Sequence, residues 1–571
     1  MFSLVQRAAI AAIAVTLALP STGSAQSGAG AYLAGRQAAY DSDFAAAALY
    51  YARVLGMDPS NPKLMEDLAA AQLSSGQVLR ALPVAQKIES DGLRSQVAHL
   101  IVVANLFADK KYDTVLARDL EKFGVGPLVD GLLIGWAHMG AGSVAKALAQ
   151  FDIVADQNGL RGFAMYHKAL ALASVGDYEG AEALFAADDG ALTTISRRAV
   201  LARVEILSQL DQNGKAREIM TDVFVGRSDP ALISVTDRLT AGEKLPFTQV
   251  RSVQDGAAEV FFSIGAALNN EAADDYTLLY ARAANFLRPD HIDSLLLSAE
   301  LLDNLGQYEL AVASYRQVPR DSLDHHAAEL GRAEALRRAA KPDAAVEVLQ
   351  QLSLEYPSIA SVHSALGDLL RQQEEYQDAV NAYDKALSLT EKGAPAQWFL
   401  HYARGISHER LKNWDKSEAD LRQALELNPE QPQVLNYLGY SMVEKQVNLD
   451  EALEMIERAV AARPESGYIV DSLGWVLFRL GRYSEAVAHM EKAVELMPVD
   501  PVVNDHLGDV YWAVGRIREA EFQWSRALSF VKPEDTDGEA DPERIRRKLD
   551  VGLDAVLADE GADPLKVAND G

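Results

Sequence analysis

The stretch "DSLGWVLFRLGRYSEAVAHMEKAVELMP", residues 471–498, decides the fold. Shifted by 34 residues, from 471 to 505, it overlies "DHLGDVYWAVGRIREAEFQWSRALSF", residues 505–530. Leu473-Gly474 falls on Leu507-Gly508, Leu477 on Tyr511, Gly481 on Gly515, Ala486 on Ala520, Met490 on Trp524 and Ala493 on Ala527. Leu473, Leu477, Met490 and Ala493 recur at helical spacing and form one apolar stripe. Gly474 and Ala486 fit the crossing of two antiparallel helices, where only small side chains allow close approach. Gly481 ends the first helix with a residue that tolerates positive φ. Ser484 is expected to cap the second helix, and Pro498 stops the unit.

The same frame runs through most of the chain. Units begin near Gly28, Pro62, Gln96, Leu128, Gly162 and Ser196, and again near Ala258, Ile292, Asp324, Ala360, Trp398, Pro432, Gly467 and Pro501. A large residue, Leu-Gly, Tyr, Gly-x-Tyr, Ala, an aromatic, Ala and then Pro is a pattern that resembles the tetratricopeptide repeat. The resemblance implies an all-α solenoid, a right-handed superhelix of about thirteen antiparallel helix pairs. Two blocks are expected, at 26–237 and 258–530. The stretch "RLTAGEKLPFTQVRSVQDGAAE" (238–259) breaks the frame and reads as a junction over 238–257. Residues 531–571 read as an acidic linker, an amphipathic capping helix and a frayed tail.

Composition narrows the function. The 571 residues hold 54 Lys and Arg against 82 Asp and Glu, a net charge of −28. That balance opposes binding to nucleic-acid phosphates and to anionic membrane surfaces. Cysteine is absent, which rules out disulfides, thiolate nucleophiles, Cys-type zinc sites and a lipidated cysteine. The N-terminal "MFSLVQRAAIAAIAVTLALPSTGSAQS" has Arg7, an apolar core over Ala8–Leu19, Pro20 and the small residues Gly23-Ser24-Ala25. It reads as a signal peptide over 1–25, whose twelve apolar residues are too few to span a bilayer. A periplasmic, unlipidated protein without an integral membrane segment in its mature chain is expected.

Catalytic patterns are incomplete. Ser143 and Lys146 fit S-x-x-K but have no S-D-N or K-T-G partner. Gly439–Val443 lacks the last glycine of a nucleophile elbow. His325, His326 and Glu329 do not form H-E-x-x-H, and "EDTDGEAD" has its glycine too early for a calcium loop. The chain is expected to be no enzyme, with no metal and no small-molecule cofactor.

Protein or peptide partners are expected instead. If positions 4, 7, 8 and 11 of each first helix pack within the pair, positions 2, 5, 9, 12 and 13 form the opposite stripe. Those positions give a candidate groove of Phe399 and Tyr402, then Asn436 and Tyr440, then Tyr468, Asp471, Trp475, Phe478 and Arg479, and finally Asp505, Asp509 and Trp512. Aromatic anchors often dominate interfaces, yet such a stripe also serves to pack one repeat against the next. Asn436 and Arg479 match an acidic-peptide clamp only in part, because Asp471, Asp505 and Asp509 repel a carboxylate. The mixed aromatic and acidic stripe suits an extended or helical segment with basic and apolar residues.

A finer resemblance rests on "NYLGYSMVEKQVNLDEALEMIERAVAARPESGYIVDSLGWVLFRLGRYSEAV" (436–487) and "VQDGAAEVFFSIGAAL" (253–268). Both are similar to stretches of proteobacterial periplasmic and outer-membrane repeat proteins that act as adaptors of carboxy-terminal processing proteases. That resemblance implies an adaptor that brings a protease and its substrates together. An assembly scaffold for envelope biogenesis or export is the alternative.

Overall fold

The structure is a computed structural model that describes residues 28–187, 197–224, 230–531, 540–562 and 565. The expected signal peptide and most of the acidic linker lie outside the described residues. Among those residues every regular element is a helix. The repeat quoted first folds as Gly467–Arg479 and Tyr483–Leu496, and its successor as Pro501–Ala513 and Ile517–Phe530.

The small residues at the crossings are required by distance. A Cβ on Gly474 would stand 2.7 Å from Met490 Cγ, and one on Gly508 would stand 2.4 Å from the Trp524 ring. Gly481 takes φ 75° between the two helices, where its N–H reaches the Phe478 carbonyl at 2.9 Å. Lys412 and Gln446 hold the same left-handed turn without glycine, at φ 62° and 54°. Ser484 is not the cap expected of it. The helix starts one residue earlier, at Tyr483, and its N-cap is Arg482, whose side chain makes no capping bond.

Two compact units divide the chain, Met1–Val348 and Leu349–Gly571. First helices open at Gly28, Pro62, Gln96, Ile292, Ala360, Trp398, Pro432, Gly467 and Pro501, in the frame read from the sequence. The exception is instructive. The helix expected near Ala258 opens at Val253, runs to Leu268, and is followed by Asp274–Leu287. This hairpin does not simply follow its predecessor in the stack. It lies back across the first helices of earlier repeats in the same unit, Pro62–Ser74, Gln96–Ala108, Pro127–Gly140 and Arg161–Ser174.

Close packing and buried polar bonds hold it there. A Cβ on Gly256 would stand 2.3 Å from the Trp136 ring, so the helix can approach that wall only at a glycine. Trp136 Nε1 donates to His167 Nδ1 at 3.2 Å, and His167 Nε2 meets Ser263 Oγ at 3.2 Å. Gln96 Nε2 donates to the Tyr280 hydroxyl at 3.2 Å, and Arg282 Nε donates to the Ser74 carbonyl at 3.0 Å. Glu259, 1% exposed, accepts from the Tyr166 hydroxyl at 2.9 Å and from Arg198, and meets His291 Nε2 at 3.2 Å. Burial alone would raise its pKa, but Arg198 and His291 hold the carboxyl far below the usual range.

In the second unit the last repeat is closed by Pro542–Val551 and Leu553–Asp559. Ile545, Leu553 and Val556 are fully buried there. Lys548 Nζ, itself fully buried, donates to Asp505 Oδ2 at 2.8 Å and to Asp509 Oδ1 at 2.7 Å.

Candidate interaction groove

One recurring contact organises the inner side of the second unit. At two steps the side chain at position 5 of a first helix reaches position 6 of the next first helix. Tyr402 meets Tyr437 edge to face, with ring centroids 6.0 Å apart. Asp471 holds His506 Nδ1 at 3.1 Å. Asp505 has no further repeat to meet, and Lys548 of the closing helix takes that role.

Asn436 breaks the series. Its counterpart is Ser472, whose hydroxyl donates to the Tyr468 carbonyl at 2.9 Å. Asn436 is 8% exposed, and its Oδ1 has no hydrogen-bond partner. A buried amide oxygen left unpaired costs about 1–3 kcal/mol. At this step a groove of about 570 Å³ opens, lined among others by Glu409, Asn436, Tyr437, Tyr440, Tyr468 and Asp471.

Four residues of the predicted stripe therefore come together: Asn436, Tyr440, Tyr468 and Asp471. Tyr468 is half exposed, and Asp471 is buried against His506. The other eight do not line this groove. Phe399 and Tyr402 lie earlier on the helix that supplies Glu409, where Tyr402 packs on Tyr437. Trp475 and Phe478 are each 8% exposed and stack on one another at 4.9 Å. Trp475 also stacks on the His506 ring at 4.0 Å, and its Nε1 donates to Glu444 at 2.8 Å. Arg479 lies over the Trp475 ring at 6.0 Å. Asp505 and Asp509 are buried on Lys548. Trp512 packs on Trp524 at 5.4 Å and donates to Asp554 at 2.9 Å. Trp475 and Phe478 are inter-repeat packing, and the expectation of an open groove fails at both.

For Trp475 the reason is His506 of the next repeat, which covers it; for Phe478 it is helical angle. Successive residues turn by about 100°, so position 12 falls a quarter turn from the core, towards the neighbouring repeat. Val443, at position 12, is completely buried, as Phe478 nearly is. Positions 6 and 10 fall on the open side with 2, 9 and 13. Tyr437, Ser472 and Ser441 occupy them and were missed, although the wheel that selected position 9 points to them as well.

Electrostatics behind the groove follow the same contacts. Burial disfavours a charge on His506, but Asp471, then Asp505 and Asp509, outweigh it and lift its pKa to about 9. The imidazolium lies flat on the Trp475 indole, a cation–π arrangement. Burial raises the pKa of the Asp509 carboxyl despite Lys548 beside it. Among the described residues no group of three or more His, Asp and Glu could hold a metal, and no helix is long and apolar enough to cross a membrane.

Comparison with known families identifies the repeat itself. A tetratricopeptide repeat model matches residues 32–93, 132–191, 330–396 and 444–501. Two further models of the same repeat match 398–431 and 292–318. Together they cover just over half of the chain. This is a tetratricopeptide-repeat protein. It is 28% identical over 177 residues to a TPR repeat-containing protein of Pseudomonas aeruginosa, which is 31% of this chain and 29% of that one. It is 30% identical over 112 residues to a BBSome complex member of Bos taurus, 19% of this chain and 20% of that one. The chain spans less than a third of the length of these relatives. A crystal structure of the APC/C hetero-tetramer Cut9–Hcn1 aligns over 94% of this chain and 98% of that one, with a TM-score of 0.38 and 15% identity. Tetratricopeptide repeats generally serve protein–protein interaction and are typically non-enzymatic scaffolds.

Proposed function

We propose that this protein is a non-enzymatic adaptor of the bacterial envelope that binds partner proteins or peptides through the groove at Asn436, Tyr440 and Tyr468. The unfilled step in the second unit carries this reading. The steps on either side of it on that wall are closed, by Tyr402 on Tyr437 and by Asp471 on His506, and the hairpin 253–287 covers four first helices of the first unit. The leader-like residues 1–25 support a periplasmic location without lipidation. The likeness of 436–487 and 253–268 to adaptors of processing proteases supports a protease, or its substrates, as the partner.

Affinity capture from the envelope fraction tests the reading, comparing the chain from Gln26 with a folded Tyr440→Ala/Tyr468→Ala variant. The expected result is a processing protease or cell-wall hydrolase, retained by the parent and lost from the variant. The purified chain should then accelerate substrate cleavage by that protease. Partners captured equally by both forms would remove the groove from the function. Capture of export or assembly machinery with no change in proteolysis would replace the adaptor by a scaffold.

A further inference from the structure

Four carboxylates and three cations line the groove; of the carboxylates, exposed Glu444 accepts from Trp475 Nε1 and Asp500 caps its own helix. Glu409 and Asp471 are largely buried, with side chains 19% and 8% exposed. The cations lie at the mouth: the Arg410 side chain is 58% exposed, and Lys412 and Lys445 are exposed. Lys445 is turned away over the Trp414 ring at 5.1 Å. Inside stand Tyr437, Tyr440 and Tyr468, whose ring faces attract cations. Asp471 already holds His506, so Glu409 is the inner carboxylate nearest to being free. It stands near the Tyr437 hydroxyl and lies 3.9 Å from Arg410.

The free acceptor on the wall favours an occupant whose backbone can still bond. An α-helix pairs its N–H groups internally. An extended chain rises about 3.3 Å per residue, so a few residues can lie along the groove. Its backbone N–H groups need acceptors, and the buried Asn436 Oδ1 is an acceptor without a donor.

We infer that the groove takes an extended segment of a partner protein carrying one lysine or arginine, with the Asn436 amide bonding its backbone and the cation lying among the tyrosines beside Glu409. This rests on the adaptor reading of the same groove and specifies the chemistry of its partner.

Selection from a phage-displayed library of random hexapeptides, on the full chain, tests it. The enriched sequences should share Lys or Arg at one fixed position. In fluorescence anisotropy with a selected peptide, replacing that residue by norleucine should weaken binding at least tenfold, and replacing it by glutamate should abolish it. Asn436→Leu should weaken binding at least fivefold. Tyr468→Ala, at a half-exposed site that does not endanger folding, should do the same. Enrichment of acidic or purely apolar peptides that still depend on Tyr468 would overturn the cationic occupant while leaving the groove as the binding site. Peptides bound equally by both variants, or no enrichment at all, would overturn the inference. The adaptor reading would then stand or fall on the envelope capture alone.

Discussion

His506 shows how a single side chain joins two repeats. It is bonded to Asp471 of the preceding first helix and stacked on Trp475, so its positive charge is satisfied by one residue type and its ring by the other. An imidazole whose pKa rises on folding holds its proton more tightly in the native chain. Its contribution is therefore complete below its unfolded pKa of 6.5 and is lost as the pH climbs to about 9. That shift corresponds to about 3 kcal/mol. The urea midpoint of the second unit should thus fall between pH 6.5 and 9, and His506→Gln should remove most of that slope while lowering stability at pH 6.5. A slope unchanged in the variant would assign the pH dependence to other groups. Gly508 gives a purely steric test beside it. Gly508→Ala would drive a methyl group into the Trp524 ring, and overpacking of this kind costs about 1–3 kcal/mol. Thermal melting should report it, and an unshifted melting temperature would show that Trp524 can move aside.

At the scale of elements, the closing helix shows what the end of a solenoid requires. Asp505 and Asp509 occupy positions that face the next repeat, and without the closing helix that follows their repeat they would be two exposed carboxylates. Lys548 supplies the missing partner from Pro542–Val551. Breaking a buried ion pair by removing one partner costs about 3–5 kcal/mol, whereas replacing the whole cluster by apolar residues is often neutral. Lys548→Met should therefore lower the urea midpoint sharply, and Asp505→Leu/Asp509→Leu added to it should recover much of the loss. A triple variant as unstable as the single one would place the energy in the Trp524–Asp509 bond rather than in charge pairing. Most helix starts were legible because Pro, Gly and Leu-Gly mark them locally, as at Pro62, Pro432, Gly467 and Pro501. The candidate groove was legible only in part. Position 9 is groove at Tyr440 and packing at Trp475, and what separates them is His506, a residue of the next repeat. The return of the hairpin 253–287 was illegible for a related reason, since its partners Trp136, Tyr166 and Gln96 lie more than a hundred residues away or nearly so.

At the scale of the whole molecule, the two units treat their inner walls differently and should answer pH with opposite signs at their centres. In the first, His167 is buried between Trp136 and the returning hairpin, and burial lowers its pKa to about 4. The native chain takes that proton less readily than the unfolded chain. Its contribution is therefore complete above pH 6.5 and is lost as the pH falls towards 4. His291 is lowered by burial in the same direction. Glu259, held low by Arg198 and His291, loses its contribution as the pH falls below its unfolded value of 4.5. The hairpin should loosen on mild acidification, just where the charged His506 in the second unit keeps its full contribution. Hydrogen exchange read as protection factors separates the two. From pH 6.5 to 4.5, protection should fall in Val253–Leu268 and Arg161–Ser174. From pH 6.5 to 9 it should fall in Gly467–Arg479 and Pro501–Ala513 and hold in the hairpin. Hairpin protection that held down to pH 4.5 would mean that its packing on Trp136 outweighs the cost of charging His167, and that the inner wall of the first unit is closed by sterics rather than by its buried polar network.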